Sequence, residues 1–206
     1  MIDHFAVAGG DLQNLTAWFT TESGVEPTAG GAHAGVGTRN ALVSLGGGTY
    51  LELIAPDPDQ PDPTQPRPFG IDSLGPEQHR LTTFAVSVSD IDDAVARLAV
   101  IGVDLGRAQA MSRTRPDGVQ LAWKLTLSIY PEGGGVLPFL IEWGDTPHPS
   151  ASAAPGCTID QVSFRHPDPA RVKAAFEVLG LDAPVESGEP ALSLTLNTPN
   201  GLWALT

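Results

Sequence analysis

The sequence predicts an α+β protein built from tandem βαβββ modules that form curved mixed sheets, with the helices on the outer face. Three observations predict it. One order of events recurs three times: a short strand of alternating polarity, an acidic or Pro-marked helix start, an amphipathic helix ending at Gly, then further strands. The recurrence is closest where Thr158-Ile159-Asp160-Gln161-Val162-Ser163-Phe164 lies over Met1-Ile2-Asp3-His4-Phe5-Ala6-Val7. Two Pro-rich stretches, 56–78 and 146–155, separate the units, because a residue without an amide donor disfavours sheet pairing.

In the first unit, over about 2–55, residues 2–7 alternate as a strand. Asp11 caps a helix carrying Leu12, Leu15, Trp18 and Phe19, and Gly24 follows its end. Strands at about 40–45 and 49–54 close the unit, joined through Gly46-Gly47-Gly48 as a hairpin turn. The second unit, over about 81–143, has a strand at 81–88 and Asp90 as cap. Its helix stripe of Ile91, Val95, Leu98 and Ile101 ends at Gly102, and strands at about 119–129 and 136–143 follow. A short second strand belongs in each of these units. The third, 158–206, has a helix at 170–179 stopping at Gly180, then strands at about 190–196 and 201–206. Residues 1–145 thus form one domain of two modules, and 158–206 a third, shorter module. The linker at 56–78 is long enough to be either a lid or a mobile connection.

The 206 residues carry 11 Lys and Arg against 24 Asp and Glu, and 11 − 24 gives a formal net charge of −13. Without a basic cluster there is nothing to draw the chain to nucleic acid or to an anionic membrane. No apolar run approaches the roughly 20 residues of a membrane span, and the opening Met1-Ile2-Asp3-His4 lacks the pattern of a signal peptide. The single Cys157 has no internal disulfide partner and no neighbouring base or cation to make it a nucleophile. A soluble, cytoplasmic protein is expected.

Period-two alternation assigns side chains to faces. Phe5 and Val7 pack toward the helix, so His4 and Ala6 face the concave side. Leu51 and Leu53 are core positions, so Tyr50, Glu52 and Ile54 point with His4. By the same alternation Phe139, Ile141 and Trp143 go to the helix side and Glu142 to the cleft. Trp123 goes with Leu121 and Leu125 to the helix side, while Lys124 points the other way, toward an acidic group in the cleft. One His and two Glu then converge. A buried carboxylate is costly unless it is paired, hydrogen-bonded or bound to a cation, and two of them with a His suit a divalent metal. The other reading is two carboxyls that take protons from neighbouring donors or face water. The loop containing Gly30, Gly31, Gly35 and Gly37 permits close backbone approach, so that it either brings His33 and Asn40 against a ligand or is a tight turn with an exposed His. A phosphate cradle at Gly35-Val36-Gly37-Thr38 is excluded because no Lys follows. His79, His148 and His166 have no partner pattern.

The strand Ile2-Asp3-His4-Phe5 and the segment Tyr50-Leu51-Glu52-Leu53 resemble the vicinal oxygen chelate superfamily, which includes glyoxalase I and extradiol dioxygenases. Gly30-Gly31-Ala32-His33 running into Gly35-Val36-Gly37-Thr38-Arg39-Asn40 is similar to its glyoxalase-like group. So are Arg113-Thr114-Arg115-Pro116-Asp117-Gly118 and Leu137-Pro138-Phe139-Leu140-Ile141-Glu142-Trp143. The resemblance implies a ligand from the first strand and a Glu from the last strand of each unit in a pair. His4, Glu52 and Glu142 match that pattern as metal ligands; Thr83, Gln161 and Ala204 depart from it. His33 is a candidate replacement ligand. The implied metal is Zn, Ni, Mn or Fe, with Glu142 or Glu52 moving a proton on a metal-bound substrate.

Two functions are therefore expected side by side. One is a metal-dependent lyase, isomerase or dioxygenase acting on a small oxygen-rich metabolite. The other is a metal-free small-molecule binder, in the manner of the antibiotic-sequestering members of the superfamily. His33, Asn40 and Lys124 are the expected ligand contacts. The third unit lacks both ligand types and is expected to be structural, its unpaired concave sheet covered by the linker or by a second copy in a homodimer.

Overall fold

A computed structural model describes residues 1–114, 118–127 and 131–206. The first unit holds β1 (Ile2–Gly9), α1 (Leu12–Ser23), β2 (Thr28–His33), β3 (Thr38–Gly46) and β4 (Thr49–Pro56). The second holds β5 (His79–Ser87), α2 (Ile91–Val100), β6 (Ala108–Thr114), β7 (Gln120–Thr126) and β8 (Phe139–Glu142). The third holds β9 (Thr158–His166), α3 (Pro169–Val178), β10 (Val185–Ser187), β11 (Ala191–Thr198) and β12 (Gly201–Leu205). The βαβββ order is thus realised three times. The strand expected over 119–129 ends at Thr126, and its residues 128–129, like 115–117 of the Arg113–Gly118 segment, lie outside the described residues. Each helix starts on an Asp: the Asp11, Asp90 and Asp168 side chains accept from the backbone N–H groups of Asn14, Asp93 and Arg171.

The first two units close into one eight-stranded barrel of order β1-β4-β3-β2-β6-β7-β8-β5. At one seam β1 runs antiparallel to β5, with His4 opposite Ala85 and Ala6 opposite Thr83. At the other, β2 and β6 meet through the pair His33 and Arg113. The cleft expected between two concave faces is therefore a barrel interior, where Ala6, Ala8, Ile54 and Ala85 meet Leu121, Trp123, Phe139 and Ile141. The outer wall presents Phe5, Val7, Leu51, Leu53, Phe84 and Leu140 to Leu15 and Phe19 of α1 and to Ile91 and Leu98 of α2. The third unit forms a separate sheet, β10-β9-β11-β12. Its Phe164, Leu192, Leu194 and Leu196 join the same outer core with Val172 and Phe176 of α3.

Three expectations are corrected. Trp123, Phe139, Ile141 and Trp143 face the barrel interior, not the helices, and Glu142 and Lys124 lie outside. Strands with a packed interior on one side and helices on the other are apolar on both faces, so alternation had no polar side to refer to. His33 ends β2 rather than sitting in a loop. Gly30 and Gly31 weaken the strand signal, yet a Cβ on Gly31 would lie 2.6 Å from the Thr114 carbonyl oxygen, so this seam needs a glycine there. Finally, the open face of the third sheet carries Gln161, Ser163, Ser193 and Thr195, with Leu202 on edge strand β12. The broad apolar surface that a partner subunit was expected to cover is replaced by a polar one.

The linker runs over the barrel mouth, where Pro68 and Phe69 are buried against the interior. Arg67 ties it down, donating to the Gly37 carbonyl oxygen at 2.7 Å and to Asp72 and Asp62 at 2.8 and 2.9 Å. Among the described residues no helix is long and apolar enough to cross a membrane.

Phe84 joins the barrel to the third unit, its ring 5.3 Å from that of Phe164 and 6.1 Å from that of Phe176. Phe84→Ala is expected to lower unfolding free energy by about 3–5 kcal/mol, the usual cost of emptying a fully buried ring site. Urea unfolding checks it; a loss under about 1 kcal/mol would mean that the two layers are not packed as one core.

Candidate functional site

The barrel interior contains a cavity of about 50 Å³. Rings of Tyr50, Phe69, Trp123, Phe139 and Trp143 wall it, and a polar group of His4, His33, Asn40 and Glu52 occupies one side. His4 comes from β1 and Tyr50 from the parallel neighbour β4, in register with it. Their rings stack with centroids 4.5 Å apart, and Phe139 meets His4 edge-on at 5.3 Å.

Two imidazoles converge on one carboxylate. His4 Nε2 is 3.8 Å from Glu52 Oε2, and His33 Nε2 is 3.9 Å from Glu52 Oε1. Asn40 Nδ2 donates to Glu52 Oε1 at 2.6 Å and lies 3.2 Å from His33 Nε2. Asn40 Oδ1 is buried without a partner among the described residues. It lies where a Cβ on Gly30 would come within 2.0 Å, so only glycine admits this amide. The other nitrogen of His33 is 2.9 Å from Thr38 Oγ1.

Asp3 supports the group from behind. A register shift between Ile2 and His4 marks an irregularity in β1 at this residue, the kind of feature that re-aims a side chain. Its carboxylate is 2.7 Å from His4 Nδ1 and 3.1 Å from His148 Nε2, and accepts from Trp143 Nε1 at 3.0 Å. Burial alone would raise its pKa, but hydrogen bonds from His148 and His4, with their charges, hold it well below the usual carboxylate range. Burial pushes the His33 imidazole down; Glu52 opposes this, while Arg113 and His4 add to it. Burial, then Asp3 and Glu52, push the Tyr50 phenol well above its ordinary 10.0, so it stays protonated. Trp123 Nε1 is buried without a partner among the described residues.

Of the residues singled out from sequence, His4, Glu52, His33 and Asn40 come together. Glu142 and Lys124 do not: they pair with each other at 3.2 Å on the outer wall, where Glu142 also accepts the Ile91 backbone N–H at the start of α2. Sequence reasoning passed over Asp3 and His148, and placed Trp123 on the helix side although it faces inward. Asp3 occupies the outward parity of its strand, and His148 stands 145 residues away from it in a Pro-rich connection.

The donor set fits a three-ligand metal centre poorly. One ion with bonds of about 2.1 Å spans the gap from His4 Nε2 to Glu52 Oε2. The second unit adds no ligand beside it, since Glu142 is outside, and the Asn40 amide faces His33 Nε2. Among the described residues no group of three or more His, Cys, Asp or Glu is arranged to hold an ion.

Because Asp3 titrates low when folded, its ionised form stabilises the fold above the unfolded carboxyl value of about 3.9, and that contribution is lost as pH falls toward the folded value. Asp3→Asn is expected to cost about 1.5–3 kcal/mol near neutrality, the worth of one charge-assisted hydrogen bond. The gap from wild type narrows below about pH 4. Urea unfolding over that range tests it, and a gap independent of pH counts against an ionised Asp3.

A glyoxalase-like domain model matches residues 2–180. Nothing among curated proteins matches the chain. A hypothetical protein from Staphylococcus aureus superposes with a TM-score of 0.62 at 16% identity, covering 98% of this chain and 84% of that one. Methylmalonyl-CoA epimerase from Mycobacterium tuberculosis gives 0.40 at 22% identity, covering 68% and 86%. A methylmalonyl-CoA epimerase in complex with methylmalonyl-CoA and NH4+ gives 0.46 at 24%, covering 72% and 97%. At 16% identity the likeness to the Staphylococcus aureus protein is one of fold. With the family model spanning the barrel and the first strand and helix of the third unit, the chain belongs to the glyoxalase-like domain family of the vicinal oxygen chelate superfamily.

Proposed function

We propose that the chain binds a small carbonyl-bearing molecule inside the barrel and moves a proton on it, as an isomerase or lyase does. The observation carrying this is the convergence of two imidazole Nε2 atoms, 3.8 and 3.9 Å away, on the Glu52 carboxylate inside an aromatic cavity. Glu52 takes the proton from the carbon beside the carbonyl, and the electron pair of that C–H bond moves into the carbonyl to give an enolate. Trp123 Nε1–H supports the oxygen: an unmet buried donor costs about 1–3 kcal/mol, which a ligand oxygen removes. In an isomerase Glu52 then returns the proton to the neighbouring carbon. A cavity of about 50 Å³ holds little beyond the reacting end, so larger ligands require Pro68 and Phe69 to move. A cytoplasmic setting belongs with this reading, since Cys157 is a buried free thiol suited to a reducing compartment.

A second reading is a divalent ion shared by His4 and Glu52, and with it the dioxygenase chemistry expected from sequence. The 2.7 Å contact of Asp3 with His4 Nδ1 favours it, since metal-binding imidazoles commonly have a carboxylate on the other ring nitrogen.

A panel of dicarbonyl and hydroxycarbonyl compounds in deuterated water separates these. Wild type is expected to place solvent deuterium on the carbon beside a carbonyl, and Glu52→Gln to slow this by about 10²–10⁴-fold. A panel member that raises thermal stability but gains no deuterium would reduce the protein to a binder. Near-stoichiometric metal by elemental mass spectrometry, abolished by both His4→Ala and Glu52→Gln, would replace the first reading with the second.

A further inference from the structure

We propose that His148, in the connection between β8 and β9, is a positioning residue for His4, acting through Asp3 to decide which nitrogen of the His4 ring carries the proton. The inference rests on His4 belonging to the site. His148 Nδ1 accepts the Ser150 backbone N–H at 3.4 Å, capping the short 3₁₀ turn Pro149–Ala151, and lies 2.7 Å from the Ser150 hydroxyl. A backbone N–H only donates and the hydroxyl can donate beside it, an arrangement that puts the ring proton on Nε2, directed at Asp3 Oδ2 3.1 Å away. Trp143 Nε1, also only a donor, takes the same oxygen at 3.0 Å. With Oδ2 engaged by two donors, Oδ1 is left for His4 Nδ1 at 2.7 Å. An ionised carboxylate only accepts, so His4 is protonated on Nδ1, and its Nε2 lone pair faces Glu52 and the cavity.

The connection is built to hold His148 still. The Ser44 N–H donates to the Ala154 carbonyl at 2.8 Å, Val43 bridges Ala154, and Ala153 packs with Leu42 and Tyr50. Tyr50 and Trp143 each meet the His148 ring edge-on at 5.6 Å. Along the chain of contacts burial rises inward: the side chain of His148 is 30% exposed and that of Asp3 2%. A segment outside both barrel units therefore sets the proton position on a side chain inside them.

Long-range proton–nitrogen NMR of the ¹⁵N-labelled full chain, near pH 8 where free imidazole is neutral, reads the tautomers directly. Wild type is expected to show His4 protonated on Nδ1 and His148 on Nε2, a result that needs no variant to fold. His148→Phe, which removes the donor, is expected to shift His4 toward a mixture of tautomers. His148→Gln, which returns an N–H to Asp3, is expected to restore the single form. A wild-type His148 protonated on Nδ1, or a folded His148→Phe with His4 unchanged, would overturn the proposal. No substrate enters the measurement, so its failure is separate from failure of proton transfer: the expected tautomers without deuterium exchange would remove the catalytic reading and leave this one.

Discussion

The antiparallel pairing of β1 with β5 is the contact on which the molecule depends, because it turns two curved sheets into one closed wall. Closure gives every strand an inside and an outside, and both must be filled. Along the seam the inward residues Ala6, Ala8 and Ala85 are small, which leaves the middle of the barrel to the large rings of Trp123 and Phe139 from the opposite wall. Rings stack and meet edge-on without filling space as methyl groups do, and the remainder is the cavity. This seam sets His4 beside Ala85, and the parallel pairing of β1 with β4 sets it in register with Tyr50, so the two neighbours of β1 together place the His4 ring and the aromatic plane it stacks on.

A carboxylate inside such a wall has few neighbours to answer it, and the arrangement around Glu52 follows from that shortage. Asn40 supplies a donor, reaching Glu52 only because Gly30 has no side chain in the way. The two imidazoles stand 3.8 and 3.9 Å from Glu52, beyond direct hydrogen bonding. The second carboxylate, Asp3, stands on the far side of the His4 ring, where three N–H groups reach it. Polar contacts of this kind strengthen one another away from water, so the Asp3 side is fully paired, whereas Trp123 Nε1 and Asn40 Oδ1 lack partners among the described residues.

How much of this was legible in sequence depended on whether a strand had one polar face or none. In β1 and β4 the small or polar residues His4, Ala6 and Glu52 alternate with Phe5, Val7, Leu51 and Leu53, and the faces read correctly. In β8 the run Phe139-Leu140-Ile141-Glu142 offers a single charge as reference, and that charge answers to Lys124 and the start of α2 on the outside. The parity was inverted for that reason, and Trp123 with it. Asp3 was hidden by the irregularity at its strand position, and His148 by sequence distance: only the docked connection brings it to the barrel. The βαβββ repeat, by contrast, is local, set by Asp caps, Gly stops and short alternating runs, and so survives without tertiary information.

The third unit shows what the repeat does when it is not paired with another. Gln161 and Ala204 stand where a ligating His and Glu would, and both flank Thr195 on the polar, open face of the sheet. Its apolar face is spent on the barrel exterior, where Phe164 and Phe176 bracket Phe84. The other side of the sheet carries Gln161, Ser163, Ser193 and Thr195 with Ala204 and Leu202, a largely polar face that water can cover. The connection that carries the sheet to the barrel wall, between β8 and β9, packs beside β3 and Tyr50 and so brings His148 against Asp3. Covering the wall and reaching Asp3 are thus two effects of the same connection.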